Sequence, residues 1–249
     1  KRAQAIKEVQ QYITEKKAPI DIIAKIESAE AIPRIDEILA AADGIMIARG
    51  DLGAELPYEE VPLLQEQLVS KCRIAGKPVI VATHMLESMI INPTPTRAEV
   101  TDITQAVFHG TDALMLSGET ATGKYPVKSL RVMDVVAKRI EEHMERNPKV
   151  RVQVSDNAKH EIARSASILN NNLKAAASLV FTRRGLMAVL LSQYRPNGPI
   201  YAFTNTTHVR RRLNIHWGVH AFIIKFSKDP ELSIGRAITL LLRKQLIKE

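Results

Sequence analysis

A lysine and a carboxylate stand two residues apart in Lys25-Ile26-Glu27, at the end of an apolar, β-branched run. On a continuing strand, positions i and i+2 face the same way, so this cation and this acid can act on one ligand. The spacing also suits a buried structural ion pair, which barrel interiors do hold. A second acid, Asp51, follows the next apolar run within Arg49-Gly50-Asp51-Leu52-Gly53. Two carboxylates with hydroxyls nearby suit a hard, oxygen-seeking cation such as magnesium, which takes one or two carboxylates plus substrate oxygens. Gly50 and Gly53 allow either close approach of backbone amides to an anion or an ordinary strand-to-helix turn. Arg49 has two open readings as well: it binds an anion, or it orients Glu27 or Glu55.

The elements that must position these groups are legible as βα units. Strands are expected at Ile20–Lys25, Gly44–Ala48, Pro78–Ala82 and Thr111–Leu116, nearly all apolar, as in a parallel sheet covered on both faces. Between them, Leu64, Leu68 and Cys72, then Ile103 and Val107, recur at helical spacing, and Thr96-Arg97-Ala98-Glu99 reads as a capping box. In α/β barrels, catalytic groups project from the C-terminal ends of the strands. Polar residues follow all four runs at that end: Lys25 and Glu27, Arg49 to Gly53, Thr83 to Glu87, and Ser117-Gly118-Glu119-Thr120. A lysine, carboxylates and hydroxyls therefore converge on one rim.

A polar stretch at 147–157, containing Pro148, reads as a linker between a first domain over 1–146 and a second over 158–249. The second is again α/β, with strands expected at Ser178–Phe181, Ile200–Phe203 and His220–Ile224 and a last helix from Pro230.

Composition sets outer bounds. The chain has 249 residues, 45% of them hydrophobic, enough for one large core or two smaller ones. No apolar run approaches the roughly 20 residues that cross a bilayer, so no membrane partner is expected. The one cysteine, Cys72, cannot form an internal disulfide and reads as an inert, partly buried thiol in a reducing compartment. A formal charge of +8 suits anionic ligands without choosing among them. Cys72, His84 and Trp217 lack partners at metal-ligand or triad spacing and read as structural. Arg210-Arg211-Arg212 is either a phosphate or nucleic-acid patch or, more commonly for such runs, a solvated helix face.

Taken in order, Ile23 to Glu27, Gly44 to Gly53, Ala82-Thr83, Met85 to Met89, Pro95 to Glu99 and Met115 to Ala121 resemble the successive signature blocks of the pyruvate kinase family. The resemblance implies the fifth to eighth strands of a (β/α)8 TIM-type barrel, followed by most of a smaller C-terminal α/β domain with a mostly parallel sheet. It also implies that the family's first barrel half, lid domain and potassium ligands lie outside these residues, and that the piece alone is inactive.

By the same resemblance, Glu27 and Asp51 correspond to ligands of Mg2+ or Mn2+, and Lys25 to the lysine that stabilises the transferring phosphoryl group. Ala48, Arg49, Gly50 and Asp51 correspond to the loop that holds metal and substrate carboxylate through the amides of Gly50 and Asp51. Thr83 stands beside the enolate, with a proton route near Ser117 and Glu119. Phosphoenolpyruvate and ADP/ATP are the implied partners, in a homo- or hetero-oligomer, a tetramer by likeness, with no nucleic acid.

Two positions depart from the family pattern. Thr122 stands where many members carry a lysine near the nucleotide. Within Thr182-Arg183-Arg184-Gly185-Leu186-Met187, which corresponds to a sugar-bisphosphate effector loop, Arg184 and Met187 replace small hydroxyl residues. The second-domain sequence is similar to plastid-type enzymes, which implies a plastid stroma or else the cytoplasm. A metal-dependent lyase or aldolase of the phosphoenolpyruvate/pyruvate barrel group is the competing enzyme reading. An inactive subunit or a basic binding module would be expected to lack Lys25, Glu27 or Asp51, and all three are present.

Overall fold

The computed structural model describes residues 2–146 and 157–248. The chain divides into two units, Lys1–Val150 and Arg151–Glu249. The expected linker at 147–157 lies outside the described residues except for Asn157, whose side chain caps the first helix of the second unit.

In the first unit, strands β1 (Ile23–Ile26), β2 (Gly44–Ala48), β3 (Val79–Ala82) and β4 (Ala113–Met115) form one parallel sheet in the order β1-β2-β3-β4. Helices α1 (Ala3–Glu15), α2 (Ile35–Ala41), α3 (Arg49–Glu55), α4 (Glu60–Ala75), α5 (Arg97–His109), α6 (Gly118–Ala121) and α7 (Pro126–Arg146) surround or lead into these strands. The inner strands are the buried ones: Ile45, Ile47, Val79 and Val81 are fully excluded from solvent. Each such side chain contributes about 1.5–3 kcal/mol of burial. The outer strands β1 and β4 are only half-buried, so the expectation that all four are covered on both faces holds for β2 and β3 alone.

Strand β2 starts at Gly44 as expected, whereas β1, β3 and β4 start later than the apolar runs suggest, because the ladder and not the composition sets them. Ile22 is held by Asp43, which accepts its N–H at 2.8 Å, and parallel pairing begins only at Ile23 with Gly44. Pro78 has no N–H to give a ladder, although its carbonyl accepts from Ile45. At β4, Thr111 and Asp112 are spent on Val79: the Thr111 hydroxyl and Asp112 N–H donate to its carbonyl, and the Asp112 carboxylate accepts its N–H.

The expected helices α4 and α5 are present. Helix α4 ends at Gly76, whose φ of 68° is the left-handed conformation that closes a helix without a Cβ penalty. Helix α5 starts in the expected capping box, with both reciprocal bonds between Thr96 and Glu99 made. Between α4 and the sheet, Cys72 is fully buried rather than partly so, and desolvation pushes its thiol up to about 12.

The second unit comprises α8 (Ala158–Asn172), β5 (Ser178–Phe181), α9 (Leu186–Gln193), β6 (Ile200–Thr204), α10 (Thr207–Leu213), β7 (Val219–Ile223) and α11 (Pro230–Arg243). Its sheet is parallel, in the order β5-β6-β7. Central strand β6 alternates between two cores. Ile200 and Ala202 pack with Leu191 and Leu213, whereas Tyr201 and Phe203 pack with Ala237 and Leu241. A strand covered on both faces has no polar side, which is why it reads as an unbroken apolar run.

Candidate active site

Parallel pairing in register places the ends of β1 and β2 side by side, Lys25 against Met46 and Ile26 against Ile47. Immediately after β2 the chain turns into α3 without an intervening loop, which brings Asp51 to the first turn of that helix. The result is a three-residue charge cluster: the Lys25 ammonium donates to Glu27 Oε2 at 2.5 Å and to Asp51 Oδ2 at 2.8 Å. The side chains are 48%, 47% and 53% exposed at the strand ends. The bonds to Asp51 and then Glu27 hold the lysine above its ordinary range, hence fully charged at neutral pH.

The carboxylates fit a hard divalent cation. Two oxygen-donor groups from neighbouring strand ends already share one positive centre, Lys25, as a metal between them and substrate oxygens would require. No group of three or more acidic, His or Cys side chains suited to a metal occurs among the described residues, so any such ion would complete its shell from substrate and water.

Arg49 takes neither of the orientations expected of it. Its side chain is nearly buried, bonded to Asp102 on α5, and its Nη2 donates to the Thr83 carbonyl at 2.7 Å. Glu55 instead accepts the N–H of Ala29. Ala48 is wholly buried.

Gly50 is constrained by close approach. A Cβ there would lie 2.9 Å from His84 Cε1 and 3.3 Å from Thr83 Oγ1, whereas a Cβ at Gly53 would meet nothing. The Gly50 N–H donates to Thr83 Oγ1 at 2.7 Å, and that hydroxyl donates to the Ala82 carbonyl at 2.6 Å. Thr83 and His84 both have positive φ, 72° and 54°. For a β-branched residue this costs on the order of 1–3 kcal/mol and persists only where its surroundings hold it. His84, read from the sequence as structural, is exposed on this rim beside Gly50.

Ser117 and Glu119 form a second cluster. Glu119 is buried, accepting the Leu86 N–H at 3.0 Å on one oxygen and the Ser117 N–H at 2.7 Å on the other. It thereby braces the segment after β3 against the segment after β4, and both of its oxygens are engaged.

Sequence reasoning missed Asp102. Its only sequence signal was an acid four residues before the buried Ala106, on a helix face turned partly inward, where a charge needs a partner. The left-handed pair at Thr83-His84 had no signal, since neither residue is glycine.

The class that this sheet and rim define is that of parallel α/β proteins carrying a polar, charge-paired site at the strand C-terminal ends. Residues 1–130 match the family described as pyruvate kinase, barrel domain, and residues 160–249 match pyruvate kinase, alpha/beta domain. The chain belongs to the pyruvate kinase family. It is 48% identical over 252 residues to plastidial pyruvate kinase 2 of Arabidopsis thaliana, covering all of this chain and 43% of that protein. To the chloroplastic pyruvate kinase isozyme G of Ricinus communis it is 50% identical over 251 residues, again covering all of this chain and 60% of the relative. A crystal structure of a pyruvate kinase from Cryptosporidium parvum superposes with a TM-score of 0.90 at 37% identity, covering 99% of this chain and 53% of that one. The chain thus spans about half the length of these relatives.

Proposed function

We propose that the chain forms part of an enzyme that transfers the phosphoryl group of phosphoenolpyruvate to ADP, giving pyruvate and ATP. The observation that carries this reading is the Lys25–Glu27–Asp51 cluster at the ends of β1 and β2. In phosphoryl transfer the protein mainly positions reactants and balances charge, and a fixed ammonium beside the transferring group does the second. Glu27 and Asp51 would hold Mg2+ or Mn2+, which supplies neutralisation of phosphate and enolate charge when bound. A K+ requirement rests on family resemblance alone.

Lys25 is held in its charged form by its bonds to Asp51 and Glu27 before a metal arrives. The amides of Gly50 and Asp51 would receive the substrate carboxylate. For Gly50, that means displacing the Thr83 hydroxyl now bonded there. The Thr83 hydroxyl proton is now given to the Ala82 carbonyl; turned from that carbonyl toward the enolate, the hydroxyl would pass its proton to the methylene carbon as pyruvate forms and regain one from a water relay. Ser117 is the next hydroxyl on the rim, and Glu119 fixes its backbone. Among the described residues no helix is long and apolar enough to cross a membrane. Plastid location is supported by the chloroplastic relatives, and a homo- or hetero-oligomeric assembly by the family.

The test is ADP-dependent pyruvate release by the full-length protein with phosphoenolpyruvate, magnesium and potassium. Saturable turnover that needs ADP is expected. Cleavage of a carbon–carbon bond without ADP dependence would establish the lyase reading instead.

A further inference from the structure

Three links hold the segment after β3 to the segment after β2: Arg49 Nη2 donates to Met85 Sδ at 2.8 Å, and the other two end on Thr83. The Gly50 N–H donates to the Thr83 hydroxyl at 2.7 Å, and Arg49 Nη2 donates to the Thr83 carbonyl at 2.7 Å. Thr83 adopts a left-handed backbone that a β-branched residue holds only under such constraint. Arg49 is only 10% exposed, and a guanidinium at that depth needs an opposite charge to stay in place. Asp102 supplies that charge from α5, the helix between β3 and β4.

We propose that Asp102 is a positioning residue for the reaction: it fixes the Arg49 guanidinium, which fixes the Thr83 carbonyl and so aims the Thr83 hydroxyl at the rim. The chain of contacts runs from carboxylate to guanidinium to carbonyl, through residues on three different elements. Asp102 itself belongs to α5 and supports the site from behind it. Removal of its charge leaves Arg49 buried without its counter-ion. The guanidinium then turns toward water, the Thr83 carbonyl loses its donor, and the threonine relaxes toward an ordinary backbone conformation that carries its hydroxyl elsewhere. Because the Thr83 hydroxyl is assigned to the proton step, the larger defect falls on that step, while release of the Gly50 N–H from the hydroxyl has only a small effect on substrate affinity. The proposal rests on the phosphoenolpyruvate reading given above.

The experiment uses the full-length protein with Asp102→Asn, Asp102→Glu, Thr83→Ala and both double variants. Three quantities are read: kcat, KM for phosphoenolpyruvate, and solvent-deuterium incorporation into the methyl group of pyruvate, which isolates proton exchange at carbon. Asp102→Asn is expected to lower kcat and deuterium incorporation at least about tenfold, with KM changed less than about threefold. On the Thr83→Ala background the same change should alter kcat by less than about twofold, since residues acting through one another are not additive. Asp102→Glu, which keeps the charge, should recover part of the loss, and its own cycle with Thr83→Ala serves if Asp102→Asn does not fold.

Wild-type rates in both Asp102 variants would overturn the proposal. So would a penalty that persists in full without the threonine hydroxyl, because Asp102 would then act on stability alone. A wild-type protein that turns over neither phosphoenolpyruvate nor pyruvate protons would reject the underlying activity, and the proposal with it.

Discussion

The Lys25 ammonium donates to the Asp51 carboxylate across 2.8 Å, joining the end of β1 to the first turn after β2. Before any substrate arrives, one cation is held between two acids, and the cluster keeps a net charge of −1 that a divalent cation can meet. A divalent cation arriving between Glu27 and Asp51 would loosen both bonds and free the ammonium for the transferring group.

Lys25→Met in the full-length enzyme is accordingly expected to lower kcat by at least about 100-fold, the scale of losing one preorganised charge in a transition state. Metal affinity should change little or improve, since a competitor for the two carboxylates is gone. Glu27→Ala and Asp51→Ala should act in the opposite sense, raising the concentration of magnesium needed for half-maximal rate. Steady-state rates across a magnesium titration separate the two patterns. A Lys25→Met enzyme within about threefold of wild-type kcat, under 1 kcal/mol of barrier, would remove the lysine from the mechanism.

A second prediction concerns Glu99, which closes the capping box of α5 and does more besides. Its carboxylate accepts the N–H and hydroxyl of Ser88 at 2.7 and 2.6 Å and those of Thr96 at 2.7 and 2.9 Å. Partial burial alone would raise its pKa, but those bonds outweigh it and the net shift is downward. A depressed acid stabilises the folded state above its unfolded pKa, near 4.5, and the contribution is lost as pH falls through the lower folded value. Glu99→Gln should therefore cost about 1–2 kcal/mol at pH 7. The difference from wild type should shrink as pH falls below about 4, in the range where the unfolded glutamate takes up its proton. Denaturant unfolding at pH 7 and at pH 3.5 checks both statements. A penalty that stays constant with pH would show that the charge on Glu99 is not what the four donors recognise.

Much of this was written in local pattern. The capping box at Thr96 and Glu99, the apolar runs of β2 and β6, and the rim position of Lys25, Glu27 and Asp51 each depend on residues close together in the chain. What stayed hidden depends on distant partners. Arg49 meets Asp102 from 53 positions away, and Glu119 spends one oxygen on an amide 33 positions back. No periodicity announces either contact, because hydrogen bonding between loops leaves no repeat in the sequence. The left-handed Thr83 is harder still, since its own type argues against that conformation and only Gly50, Arg49 and Ala82 together explain it.

The last prediction is that fructose 1,6-bisphosphate does not activate the full-length enzyme. The loop from Thr182 to Met187 would have to cradle a phosphate, and small hydroxyl side chains do this by donating hydrogen bonds while letting backbone amides approach the anion. Met187 offers no donor and more bulk. The remaining hydroxyl of the loop, on Thr182, is buried and already accepts the Gly185 N–H at 2.9 Å. The Arg184 carbonyl is tied down as well, accepting from Arg212 Nη2 at 2.6 Å, which fixes the loop against α10. Arg183 and Arg184 are exposed and positively charged, so an anion other than this sugar bisphosphate could bind them as charged forks. Activation also requires the ligand to favour one conformational state over another, and electrostatic attraction by itself need not do so. Titration of fructose 1,6-bisphosphate at subsaturating phosphoenolpyruvate and fixed ionic strength should leave the rate unchanged. A saturable rise in substrate affinity that disappears on Thr182→Ala or Arg184→Ala would show instead that the loop accepts a sugar phosphate.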